Sequence, residues 1–129
     1  GNLGEAEEVT KYVKQLRNKG VESKDIGVIA YYLTQVTLIK DLFYEDYIDG
    51  VEVSSIDGFQ GREKNFILIS TVRSNDEGET GFLKDPTRFN VAITRARKGL
   101  IIFGNYETIA EAHIWKHYLN FLDIRRAVL

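Results

Sequence analysis

Two stretches of this sequence hold side chains of the kind that handle phosphate and sugar. The first is Asp57-Gly58-Phe59-Gln60-Gly61-Arg62-Glu63. Its two glycines let backbone N–H groups come close to an anion, because no Cβ stands in the way. Gln60 offers a neutral donor and Arg62 a phosphate-type donor. Glu63 offers a carboxylate suited to a ribose hydroxyl or a metal-bound water. The same glycines serve a hairpin or bulge equally well, so spacing alone leaves both readings open. The second stretch is Arg88-Phe89-Asn90-Val91-Ala92-Ile93-Thr94-Arg95-Ala96-Arg97. On a helix Arg88, Ala92 and Arg95 share a face, with Ala96 at its margin, while Val91, Thr94 and Lys98 share another. Arg95 and Arg97 do not share one, so at most one of them points into a given site. A single Arg aimed at a terminal phosphate offsets transition-state charge in phosphoryl transfer and is worth roughly 10³–10⁵ in rate. A solvated surface helix gives the same pattern.

A third cluster is Tyr31-Tyr32-Leu33-Thr34-Gln35. Tyrosines stack on bases, and Thr34 can cap a helix whose first amides bind phosphate. Packing of the tyrosines at the rim of a core is the plainer alternative. His113 and His117 stand at i, i+4, with only Glu111 as a third candidate ligand and no Cys in the chain. No metal site is expected there; a helix packing Ile114, Trp115, Leu119 and Leu122 explains the segment better. No Ser–His–Asp arrangement is readable, GxxxxGK[ST] does not occur, and no Asp-Glu pair follows a strand to hold magnesium.

The elements that must carry these clusters follow from hydrophobic period and punctuation. Gly4 to Gly20 reads as a helix, with Ala6, Val9, Val13 and Leu16 on one face and Gly20 as its stop. Ile26 to Tyr31 is a short apolar strand. Thr34 to Tyr44 reads as a second helix, and Val51 to Ile56 as a strand. Asn65 to Val72 is a continuously apolar strand, and a polar loop covers 75–86. Thr87 to Arg95 reads as a short helix, Gly99 to Gly104 as a strand, and Glu107 to Leu122 as one or two helices. Strands apolar throughout, alternating with helices, belong to a parallel sheet covered on both faces. In such sheets ligands bind beyond the carboxyl ends of strands. The loops to watch are therefore 31–35, 57–63 and 73–88.

The chain has 129 residues, 43% hydrophobic and 28% charged, which suffices for one core and one domain. No run approaches the ~18 apolar residues of a membrane span, and the N-terminus is no signal peptide. A formal net charge of −2 excludes a self-sufficient electrostatic nucleic-acid binder. The charge is uneven, however. Residues 1–64 carry 8 basic and 12 acidic groups, and no Asp or Glu occurs from Pro86 to Tyr106. The absence of Met suggests a piece of a longer protein.

Taken together, the clusters resemble a known family. VEVSSIDGFQGREKNFILISTVRSN followed by GFLKDPTRFNVAITRARKGLIIFGN is similar to the second RecA-like motor domain of superfamily 1 helicases, nearest the up-frameshift branch. IDGFQGRE resembles motif V of that family and RFNVAITRAR motif VI. DIGVIAYYLTQ resembles its strand-plus-PYxxQ segment, with Tyr31 where the family has Pro. NLGEAEEV resembles its N-x-x-E-A helix start, and IWKHYLNFL the segment that follows the motor core in the decay helicase.

The resemblance implies a three-layer α/β fold of the RecA, P-loop-NTPase-like kind, with a mainly parallel central sheet flanked by helices over residues 1–129. It implies that Arg95 reaches the γ-phosphate of ATP held on the other motor domain. Glu63 would contact the ribose or its surroundings, with Gln60, Gly61 and Arg62 shaping that wall. Asp57 and Gly58 would couple nucleotide to nucleic acid, and Tyr32, Thr34 and Gln35 would lie near the nucleic-acid track. Asn90, Thr94 and Arg97 would buttress Arg95.

ATP and Mg2+ would be held mainly by a first RecA-like domain whose Walker motif this sequence lacks. The QYRMH-type opening motif is also missing and is expected upstream. The expectation is a motor domain of a 5′-to-3′ ATP-dependent RNA helicase, cytoplasmic or nuclear, with single-stranded RNA or DNA as partner and no membrane association. Alone, this piece would not hydrolyse ATP. The rival readings are a DNA helicase of the same superfamily and a non-catalytic binding module that keeps the fold.

Overall fold

The computed structural model describes residues 2–59, 63–71 and 91–103. The expectations for Gln60, Gly61, Arg62, Asn90, the 73–88 loop and the His113–His117 helix lie outside these residues. Two helices, α1 (Leu3–Asn18) and α2 (Leu33–Glu45), accompany four strands: β1 (Ile26–Ala30), β2 (Glu52–Ser55), β3 (Lys64–Ser70) and β4 (Ala96–Phe103). The strands form one sheet in the order β2-β1-β3-β4, and every described pairing is parallel. Parallel neighbours need crossovers. Helix α2 crosses from β1 to β2, and β3 lies on the other side of β1 from β2.

Period-two alternation sorts the apolar residues onto two faces even where a whole strand is buried. Val28, Ala30, Leu68 and Phe103 face one way. There they meet Ala6, Val9 and Val13 of α1 and Val36, Ile39 and Phe43 of α2. Ile29, Ile67, Ile69, Leu100 and Ile102 face the other way, against Ile56, Phe59, Ala92 and Ile93. The second layer is thus a turn of 3-10 helix at Asp57–Phe59 and a helical turn at 91–93. Fully burying each large apolar side chain contributes about 1.5–3 kcal/mol. The α/β class expected from the alternating elements is the class observed. Among the described residues no helix is long and apolar enough to cross a membrane.

Three boundaries differ from the sequence reading. Thr34 does not cap α2. Tyr32, in extended conformation, is the N-cap residue and makes no side-chain cap bond, so the helix starts one residue before Thr34, which is exposed. Strand β4 begins at Ala96 rather than Gly99. Lys64 pairs with Ala96, and the register then shifts between Lys64 and Phe66. Arg97 and Lys98 therefore lie on a strand and are exposed. Finally, Asn2 joins the helix start. Its Oδ1 accepts the Glu5 amide at 2.8 Å.

Candidate functional site

The register divides the predicted site residues between two opposite edges of the sheet. Ala30 aligns with Ser55 of β2 and with Ser70 of β3. The chain therefore leaves three neighbouring strands at one level. Tyr32 and Thr34 follow β1 there, and Asp57 and Gly58 follow β2. Asp57 and Gly58 are exposed, Tyr32 is half-buried, and the Gly58 amide donates to Ser55 Oγ at 3.3 Å. The resemblance implied nucleic-acid contacts for Tyr32, Thr34, Gln35, Asp57 and Gly58; all but the buried Gln35 are at least partly exposed at this carboxyl edge.

Glu63 and Arg95 lie at the other end. Residues 56–59 leave the carboxyl edge of β2, and Glu63 is the residue just before β3, at the amino edge. Arg95 is the residue just before β4. Because Lys64 pairs with Ala96, Glu63 and Arg95 are neighbours by register, and the Lys64 amide donates to the Arg95 carbonyl at 2.9 Å. The rule that ligand loops follow strands therefore misplaces two of the residues of most interest. It fails here because each of the two stands just before a strand rather than after one, Glu63 at the end of the crossover from β2 to β3.

Phe59 fixes that crossover. Its side chain is 1% exposed, and its ring lies so close over Gly27 of β1 that a Cβ there would strike the ring. Gly27 is needed because the aromatic ring occupies the space of its missing side chain. The sequence shows both residues but not that they meet.

Arg95 is held by its own turn. Its amide donates to the Ala92 carbonyl at 3.1 Å. Its Nε donates to the Val91 carbonyl at 3.2 Å, and its Nη2 to Thr94 Oγ1 at 3.1 Å. Thr94 Oγ1 in turn donates to the Val91 carbonyl at 2.8 Å. The guanidinium is half-buried and oriented on one side, and its Nη1 group makes no hydrogen bond with the described residues. Such an arrangement presents a planar donor to an anion with little rotamer freedom left to lose. Arg97 makes no such contact; it stands exposed on β4.

Lys64 completes the amino edge and was not singled out in the sequence. Its Nζ donates to the Lys24 carbonyl at 3.0 Å and lies 3.6 Å from Glu52 Oε1. It thereby joins the starts of β1, β2 and β3.

The carboxyl edge is held by a buried polar cluster. Gln35 is 1% exposed. Its Oε1 accepts the Asn2 amide at 2.6 Å, and its Nε2 donates to the Asn2 carbonyl at 3.0 Å. Gln35 thus ties the first turn of α1 to the first turn of α2 rather than facing solvent. In a capping box the residue three after the cap would accept that amide. Here Gln35 does so, and Glu5 turns inward instead. Ser70 Oγ donates to Glu5 Oε1 at 2.6 Å, with both residues fully buried. Thr71 Oγ1 donates to the Phe103 carbonyl at 2.7 Å. Among the described residues no group of three or more His, Cys, Asp or Glu could hold a metal ion.

Comparison with known proteins agrees with this architecture. The model of a family described as "AAA domain" matches residues 1–107. The Regulator of nonsense transcripts 1 homolog of Drosophila melanogaster is 38% identical over 134 residues, covering 99% of this chain and 11% of its own. The ATP-dependent helicase NAM7 of Saccharomyces cerevisiae is 42% identical, covering 92% of this chain and 13% of its own. The DNA polymerase alpha-associated DNA helicase A of the same yeast is 44% identical, covering 84% and 16%. The chain thus spans under a fifth of the length of these relatives. It belongs to this AAA domain family, within the up-frameshift-like branch of the superfamily 1 helicases.

Proposed function

We propose that residues 1–129 form the second RecA-like motor domain of an ATP-dependent helicase and that Arg95 is its arginine finger. The observation that carries this is the register that sets Glu63 beside Arg95 at one edge, with Tyr32, Asp57 and Gly58 at the other. One edge offers a carboxylate and a pre-oriented guanidinium, the pair that a ribose and a γ-phosphate need. The other offers an aromatic side chain, two helix N-termini and exposed loop backbone, which suit a nucleic-acid strand.

In this reading ATP sits between this domain and a first RecA-like domain carrying the Walker lysine and the acidic pair for Mg2+. As water attacks the γ-phosphorus and the bond to the β-phosphate oxygen breaks, charge on the transferring oxygens rises. Arg95 offsets it, while Thr94 and the Val91 carbonyl hold the guanidinium in line. Glu63 fixes the ribose, with Gln60, Gly61 and Arg62 as the wall beside it. Closure of the two domains on ATP and their release after hydrolysis would move the carboxyl edge along the strand. Tyr32, Thr34, Asp57 and Gly58 would line the nucleic-acid track, with Gln35 holding its floor.

Single-stranded RNA is the favoured substrate, since the tail IWKHYLNFL resembles that of the decay helicases. A cytoplasmic or nuclear site of action in mRNA decay follows from that reading. The test is ATPase activity of the full-length protein, with and without single-stranded RNA and DNA, beside Arg95→Ala. The expected result is stimulation by nucleic acid and a fall of roughly 10³-fold or more in the variant, with ATP binding kept. An unaffected variant contradicts the finger; a parent that hydrolyses nothing supports a binding module.

A further inference from the structure

The ends of the two helices differ. Both close with the same pair of backbone bonds, from the second residue past the cap to the third-last carbonyl and from the first past the cap to the second-last. In α1 these are Val21 to Leu16 and Gly20 to Arg17; in α2 they are Ile48 to Phe43 at 2.8 Å and Tyr47 to Tyr44 at 3.2 Å. The residue past the cap is left-handed in each. In α1 it is Gly20, at φ 97°. In α2 it is Tyr47, at φ 57°, where glycine or asparagine is usual. Tyr47 is 90% exposed and Tyr44 84%. The side chain that strains the backbone therefore contributes nothing to the core.

The charges here also run against the helix. Cations belong at a helix C-terminus, yet the last turn of α2 holds no basic residue. Glu45, Asp46 and Asp49 stand there instead, all exposed, with Asp41 one turn back. Lys14 reaches Asp46 at 2.7 Å; the described residues give the other three acids no ion pair. Between these acids lies a hollow of about 410 Å³ lined by Phe43, Tyr44, Glu45, Tyr47, Ile48 and Asp49. Tyr44 also walls a smaller hollow of about 190 Å³ toward Val51 and Val53 of β2, with Lys40 at its rim. Among the described residues β2 pairs only with β1.

We propose that this surface docks a lysine- or arginine-rich segment of a partner protein. Aliphatic stems of such side chains fit the Phe43–Ile48–Val53 floor, the tyrosine rings take the cations face-on, and the acids and the helix terminus supply the opposite charge. A nucleic-acid strand would be repelled by the same acids, and a second copy of this face would meet its own charge. The inference does not rest on the helicase reading. The surface shares the amino edge with Arg95 but lies beside β2, with two strands between it and β4.

Polarisation of a labelled nona-arginine peptide titrated with the full-length protein tests this, with nona-glutamate and a single-stranded RNA as competitors. Two variants are compared: Tyr44→Ala with Tyr47→Gly, and Asp41→Asn with Glu45→Gln and Asp49→Asn. Each is expected to weaken peptide binding about tenfold or more while leaving unstimulated ATPase activity intact and the melting temperature no lower. Equal affinity in all three proteins overturns the proposal. So does a peptide that does not bind, which would mean another part of the protein covers the surface. Loss of a dimer in the tyrosine variant, seen by light scattering, would assign the surface to a second copy instead.

Discussion

The two edges of the sheet are built differently. At the carboxyl edge, buried side chains make bonds across 33 and 65 residues of sequence: Gln35 to the backbone of Asn2, and Ser70 to the side chain of Glu5. The groups this edge presents to solvent are backbone and short side chains raised on that cluster. At the amino edge the orienting bonds are local. Arg95 is held by Val91 and Thr94, within its own turn. A carboxyl edge built this way keeps a fixed shape for a polymer, whereas the amino edge holds one guanidinium through a few bonds at the sheet margin. Phe59 lies in sequence between the residues that leave β2 and Glu63, and its ring is pinned over Gly27.

The contrast can be broken most strongly at that pin. Phe59→Ala is expected to destabilise the fold by about 3–5 kcal/mol, read by urea unfolding. Nucleic-acid binding and ATPase activity should fall together, because both edges lose their common anchor. Ser70→Ala strikes the carboxyl edge alone. It removes a donor from a buried carboxylate, at about 1–3 kcal/mol, and should weaken nucleic-acid binding while kcat at saturating RNA holds.

Thr94→Val strikes the amino edge alone. Losing the acceptor for Arg95 Nη2 is expected to lower kcat about tenfold, equivalent to about 1.4 kcal/mol, with nucleic-acid affinity unchanged. The smallest effect belongs to neither edge's chemistry. Tyr47→Gly should raise stability by up to about 1 kcal/mol, because glycine accepts the left-handed backbone that tyrosine resists. Thermal unfolding reads that gain.

Much of this was legible in the residues. Apolar strands between periodic helices point to the parallel sheet, and Gly20 marks the end of α1. Motif resemblance singled out Arg95, Glu63, Asp57 and Tyr32, and register then showed which of them are neighbours. Four things were not legible. Thr34 looked like a cap because its residue type suits one, but the chain enters α2 from an extended Tyr32 and needs no side-chain cap. Gln35 looked like a ligand group, yet its burial against Asn2 is a contact between distant segments that no local pattern reports. The amino-edge position of Glu63 depends on where β3 starts, at Lys64, and the stretch before it was read only as a loop. Lys64 passed unnoticed because a lysine at a strand start is ordinary until its partners, Lys24 and Glu52, are seen around it.

The central claim is a division of labour between the edges. Its most direct test is a crossed measurement on the full-length protein. Steady-state ATPase kcat at saturating single-stranded RNA and equilibrium RNA affinity would be measured for Arg95→Ala and for Tyr32→Ala. The account predicts that Arg95→Ala loses roughly 10³-fold or more in kcat and keeps its RNA affinity, while Tyr32→Ala loses affinity by about 1–3 kcal/mol and keeps kcat. If the Arg95 variant loses RNA affinity with kcat intact, or the Tyr32 variant loses kcat with affinity intact, the assignment of the two edges is contradicted.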